Sequence, residues 1–172
     1  QSGYIPRGFI SSALAYSYRV MDEVDQKSVI ILLDVGKAIT EVSLFPKNKI
    51  SECVWLPIGI NDLFDGDKKI KKDVLSKFVE ELKKINQWES VNRIVLVGEG
   101  ILTETLIEEM ERSFDIPTKL GFCAARPFEE LPLDRTTYAA SLGAIDFLKY
   151  VRLKLQAEGN IFKRILSRIC SF

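Results

Sequence analysis

The chain has 172 residues, 47% of them hydrophobic, with 24 lysines and arginines balanced against 24 aspartates and glutamates. That length supports one ordinary core rather than two full domains, and the even charge leaves no footprint of a nucleic-acid binder. No histidine is present and Cys53, Cys123 and Cys170 lie far apart, so a zinc site is excluded and the cysteines read as reduced thiols of an intracellular protein.

"FISSALAYSYRVM" predicts a first helix from Phe9 to about Met21. Between Ser28 and Pro57 the runs "VIILLDVG", "ITEVSLF" and "ISECVWLPIG", rich in β-branched residues, predict three consecutive strands, the last two joined by a hairpin through Pro46 to Lys49. In "IKKDVLSKFVEELKKI" the apolar residues Ile70, Val74, Leu75, Phe78, Val79, Leu82 and Ile85 recur at helical spacing, with lysines and glutamates on the other side. A strand at Arg93 to Val97 ends in "GEG". Leu102, Leu106, Ile107, Met110 and Phe114 mark another amphipathic helix, and "IPTKLGF" a fifth, edge-like strand. After the proline-interrupted "AARPFEELPLD", a long helix opens at Thr136 and runs through Tyr138, Leu142, Ile145, Leu148 and Val151. The order strand, strand, strand, helix, strand, helix, strand, helix predicts an α/β fold, a mixed five-stranded sheet with helices on both faces. Residues 1–27 form a helix and lead-in, 28–156 the domain, and 157–172 a separate terminal segment. No apolar run approaches the ~20 residues that span a bilayer. The chain opens on Gln1 without an initiator methionine, which reads as a fragment or a processed chain.

Several short stretches carry candidate chemistry. A glycine after a strand lets backbone N–H groups approach phosphate oxygens, and an aspartate beside it can hold a magnesium-bound water; Asp34 and Gly36 form such a corner. Gly98 and Gly100 leave room for an adenine or ribose before the next helix. "DLFDGDKKIKKD" lacks the alternating ligands of a calcium loop. Lys68, Lys69, Lys71 and Lys72 read as a solvated helix entrance, and Trp55 and Trp88 as core and helix-end packing.

This order of elements resembles one ribonuclease H-like half of the actin and Hsp70 ATPase superfamily. "LLDVGKAITEVSLF" resembles its second phosphate motif, "IVLVGEG" with the following helix its adenosine motif, and "YAASLGAIDF" its terminal helix. Within the superfamily the likeness is strongest to the bacterial FtsA cell-division and PilM pilus-assembly families, through "ISSALAYSYRV" ahead of the phosphate motif and "WLPIGINDL" after it. The resemblance implies phosphate contacts at Asp34, Gly36, Lys37 and Thr40, adenosine contacts at Gly98, Glu99 and Gly100, and a magnesium held indirectly, through water, by Asp34. Lys37 and Ile39 replace a family glycine and threonine, Glu99 the middle glycine of the adenosine turn, and Ile60 a second glycine. These departures weaken the expected nucleotide site. ATP and magnesium are therefore implied for the full-length protein, with none bound tightly by this chain. Actin-like nucleotide sites lie between two halves, so catalysis by this chain alone is not expected, and the full-length protein would be at most a weak ATPase.

The end of the chain, "GNIFKRILSRICSF", contains no acid. From a cap at Asn160, Ile161, Phe162, Ile165, Leu166, Ile169 and Phe172 share one helical face while Lys163, Arg164 and Arg168 take the other, the pattern of an interfacial membrane anchor. It is similar to the membrane-targeting helix of the FtsA family. The combined expectation is a cytoplasmic actin-like scaffold, peripheral to the inner face of the membrane, with protein assembly partners and self-association. The alternatives are the C-terminal half of a superfamily sugar or acyl kinase and a binding module that has lost nucleotide.

Overall fold

A computed structural model describes residues 9–65, 69–85, 90–98, 104–121 and 139–157. Helix α1 (Ser12–Val20) is capped by Ser11, whose hydroxyl accepts from Leu14 N at 3.3 Å. That cap sets its start three residues later than the apolar pattern suggested. A short 3-10 turn, Asp25–Lys27, then leads into strand β1 (Val29–Val35).

β1 is apolar on both faces because it lies at the centre of the sheet, whose order is β3-β2-β1-β4-β5. It pairs antiparallel with β2 (Thr40–Pro46), which pairs antiparallel with β3 (Glu52–Leu56). Lys47 and Asn48 both take positive φ in the turn between β2 and β3, where Lys49 N donates to Pro46 O at 3.3 Å. On its other side β1 pairs parallel with β4 (Arg93–Val97), and β4 parallel with β5 (Thr118–Leu120). Helix α2 (Ile60–Leu63) and helix α3 (Lys72–Lys83) follow β3, α4 (Glu104–Phe114) lies between β4 and β5, and α5 (Ala139–Ala157) ends the described chain. The mixed sheet with helices on both faces is the expected ribonuclease H-like fold.

The period of two in β1 divides the interior. Ile31, Leu33 and Val35 enter one core with Leu75, Phe78 and Leu82 of α3 and Leu106 and Met110 of α4. Ile30 and Leu32 enter the other, beneath Ala13, Tyr16 and Val20 of α1 and Ala139 of α5. α1 and α5 cross closely because of Gly143, where a Cβ would collide with the Ala15 carbonyl. Beside the crossing Arg19 Nη1 meets Asp146 Oδ2 at 2.8 Å, and Tyr18 stacks edge-on against Phe147.

Four charged groups tie the lead-in to the starts of the parallel strands. Asp25 is fully buried; its Oδ1 accepts from Arg93 Nη1 at 2.7 Å, and its Oδ2 from Lys119 Nζ and from Asp22 N at 3.1 Å. Asp22 Oδ2 accepts from Lys119 Nζ at 2.8 Å. Hydrogen bonds from Lys119 first, then from the Asp25 backbone, hold the Asp22 carboxyl down to about 2.

One expectation about packing is corrected. Trp55 is 62% exposed rather than in the core. It stands opposite Glu41 on the outermost strand, and the core beneath α1 and α5 takes no residue from that strand. The short α2 was not foreseen, since four residues give no period to detect. Trp88 lies outside the described residues.

Candidate phosphate corner at the sheet edge

Three glycine-bearing segments meet where β1 and β4 end. Ligands of open α/β sheets gather outside the carboxyl ends of the strands, where backbone groups have no further strand to pair with. The first segment is the turn joining β1 to β2, residues 36–39, closed by Gly36 N donating to Ile39 O at 2.9 Å. Lys37, Ala38 and Ile39 are exposed at its tip.

The second segment is the end of β4. Gly98 has φ of 126°, a conformation L side chains rarely adopt, and a Cβ there would collide with the backbone of Val35. Glycine is required at this position by both geometry and space. The result is that the backbone after β4 lies directly against the backbone that opens the first turn.

The third segment, residues 58–62, backs the turn from the other direction. Ile60 N donates to Gly36 O at 2.9 Å and Asn61 N to Lys37 O at 3.0 Å. The Thr40 hydroxyl, fully buried, donates to Ile58 O at 2.8 Å. A Cβ on Gly59 would come within 2.5 Å of the Lys37–Ala38 peptide, so only glycine permits this approach. Asp62 fixes the segment by accepting from Gly59 N through Oδ2 at 2.9 Å, the reach-back half of a capping box.

Of the residues singled out from sequence, Asp34, Gly36, Lys37, Thr40 and Gly98 are therefore gathered at one edge. Glu99 and Gly100 lie outside the described residues, as do Ile161 to Phe172. Asp34 is half-buried on the strand face shared with Ile30 and Leu32, and its register partner on β2 is Glu41. Glu41 Oε2 accepts from Ser12 Oγ of α1 at 3.0 Å, and its Oε1 from Ser43 Oγ at 3.2 Å and Cys53 Sγ at 3.4 Å. Burial first, and then the Glu41 carboxylate, push the Cys53 thiol upward, which favours its protonated form. Among the described residues, no group of three or more His, Cys, Asp or Glu side chains is placed to hold a metal ion.

Ile58, Asn61 and Asp62 were not singled out as site residues from sequence. Two of the three act through the backbone, which leaves no side-chain signature. The detectable signal was a glycine ending an apolar run with an aspartate three residues on, the spacing of a helix cap.

No protein-family model and no curated protein sequence matches the chain. Solved structures do. A PilM–PilN type IV pilus biogenesis complex matches at TM-score 0.61 and 15% identity over 83% of this chain and 53% of that one. MreB 5 of Spiroplasma citri bound to AMPPNP matches at TM-score 0.61 and 10% identity, covering 86% of this chain and 60% of that one. The apo psk41 ParM protein matches at TM-score 0.57 and 12% identity, over 84% and 50%. At such identities the likeness shows the fold alone, one shared with part of these actin-like proteins. The chain spans between half and three-fifths of the length of these proteins.

Proposed function

We propose that this chain is the nucleotide-facing half of an actin-like assembly scaffold, that it engages a nucleoside triphosphate together with a second half, and that its terminal segment attaches it to an anionic membrane surface. The observation that carries the reading is the meeting of Gly36, Gly59 and Gly98 at one edge, where a Cβ at each position would collide with backbone. These approaches bring three backbone segments together at a strand end, and main-chain N–H groups gathered in this way can hold an anion.

The residues fit a phosphate group with magnesium. The turn at 36–39 would face the phosphate, Asp34 would hold a metal-bound water, and the end of β4 at Gly98 would lie beside the sugar or base. The bound metal ion would supply charge neutralisation at the phosphate oxygens. This chain alone is not a catalyst in this reading, and the complete protein is at most a weak ATPase. The structural relatives include a complex of PilM with PilN and an MreB bound to AMPPNP, and by analogy this chain has protein partners, self-associates, and works in the cytoplasm against the membrane.

Calorimetry with Mg-ATP tests the shared-site reading. The 172-residue chain should bind weakly, with a dissociation constant in the millimolar range. A submicromolar constant would place a complete site within this chain and overturn the proposal.

A further inference from the structure

We propose that Ile60 and Asn61 are positioning residues for the phosphate-facing turn, holding its peptide planes so that successive N–H groups point outward. The inference rests on the nucleotide reading above and concerns how this chain builds that site.

In a trans peptide the carbonyl and the following N–H lie in one plane and point in opposite directions. The described chain contains no cis peptide. Gly36 O is turned inward to Ile60 N at 2.9 Å, which directs the N–H of Lys37 to the opposite side. Lys37 O is turned inward to Asn61 N at 3.0 Å, which directs the N–H of Ala38 outward in the same way. Two consecutive outward N–H groups form the concavity that receives an oxyanion.

Without the two inward hydrogen bonds each plane could rotate and present a carbonyl to the phosphate instead. The sign of the potential at the turn is thus set by two backbone donors on a different segment. Gly59 lets that segment approach, Asp62 fixes it from behind, and the Thr40 hydroxyl binds its Ile58 carbonyl at 2.8 Å. In this arrangement Thr40 serves the turn from the inside rather than as a ligand.

The test removes one donor and leaves the rest. Ile60 opens α2 after the extended Gly59 (φ −129°, ψ −170°), a position and a preceding conformation that proline tolerates. Ile60→Pro deletes the N–H, and Ile60→Ala, which keeps it while losing side-chain contacts, is the control. Amide exchange and amide chemical shifts of the 172-residue chain are followed with pyrophosphate and magnesium as the probe. Relative to Ile60→Ala, the Gly36 amide of Ile60→Pro should exchange several-fold faster, and pyrophosphate should bind about fivefold more weakly, the effect of one lost hydrogen bond.

If Ile60→Pro matches Ile60→Ala in both readouts, the positioning role is wrong. If the unsubstituted chain shows no shift at Lys37 or Ala38 with millimolar pyrophosphate, the phosphate reading of the turn fails. Should Ile60→Pro unfold, Thr40→Val carries the comparison: it keeps nearly the same shape and removes the donor to Ile58 O. It should likewise accelerate Gly36 exchange and weaken pyrophosphate, and an unchanged Thr40→Val would overturn the proposal.

Discussion

Replacing Arg93 with methionine should destabilise the fold through a carboxylate that the substitution does not touch. Asp25 is fully buried, and its charge is met by Arg93 at 2.7 Å, by Lys119, and by the Asp22 N–H at 3.1 Å. Removing one partner of a fully buried ion pair typically costs about 3–5 kcal/mol, since the remaining charge is stranded away from water. Here Lys119 and the backbone donor remain, so the expected loss is lower, about 2–3 kcal/mol. For a domain of this size each kcal/mol lowers the melting temperature by roughly 2–4 °C, giving a fall of about 4–12 °C. Arg112→Met is the comparison. Its guanidinium pairs with Glu109 one turn away on α4, with its side chain 77% exposed, and such a pair should change stability by less than about 0.5 kcal/mol. Urea unfolding of both variants measures the difference. Combining Arg93→Met with Asp25→Asn should cost less than the sum of the two alone, because the stranded charge is gone. If Arg93→Met is as mild as Arg112→Met, burial of Asp25 does not govern this corner and the reasoning is refuted.

Three further outcomes follow from the packing and the sequence. Gly143→Ala should cost about 2 kcal/mol despite the better helix propensity of alanine, because the new methyl collides with the Ala15 carbonyl; a variant as stable as the parent in thermal melting would disprove the close crossing. The Asp22 carboxyl is held down to about 2, so its contribution is complete above the ordinary carboxylate range near 4 and is lost as pH falls toward 2. Lys119→Met removes the largest cause of that shift and should move the acid unfolding midpoint upward; an unchanged midpoint would count against it. For the terminal segment, Lys163, Arg164 and Arg168 should each add about 1 kcal/mol near an anionic leaflet. The intact chain should therefore co-sediment with anionic vesicles at low salt, while truncation after Glu158 or Phe162→Glu should not; equal pelleting of all three would rule out the anchor.

The layers of this fold were legible because its strands and long helices carry strong periods. β1 reads as a strand from "VIILLDV" alone, and its central place in the sheet accounts for six apolar residues in seven. α3 and α4 read as amphipathic because each covers one face of one sheet. Trp55 was misread for the complementary reason: its apolar character was visible, but the outermost place of its strand is a property of the sheet order. The Asp25 cluster was invisible as well, because its four members come from the lead-in and two strands, up to 97 residues apart.

The candidate site divides along the same line. Asp34, Gly36 and Gly98 stand at strand ends, which local sequence marks, and so the corner could be named before its geometry was known. What could not be read was the direction in which each peptide faces. That depends on Ile60 and Asn61, whose donors are main-chain atoms common to every residue except proline, and on a Gly59 that matters because a different segment lies against it. The same limit bears on Lys37 and Ile39. Side chains at positions 37 and 39 are exposed, and the hydrogen bonds that fix the turn leave from the backbone. Substitution at the tip should therefore leave the turn's shape largely unchanged, whereas the segment at 58–62 holds that shape.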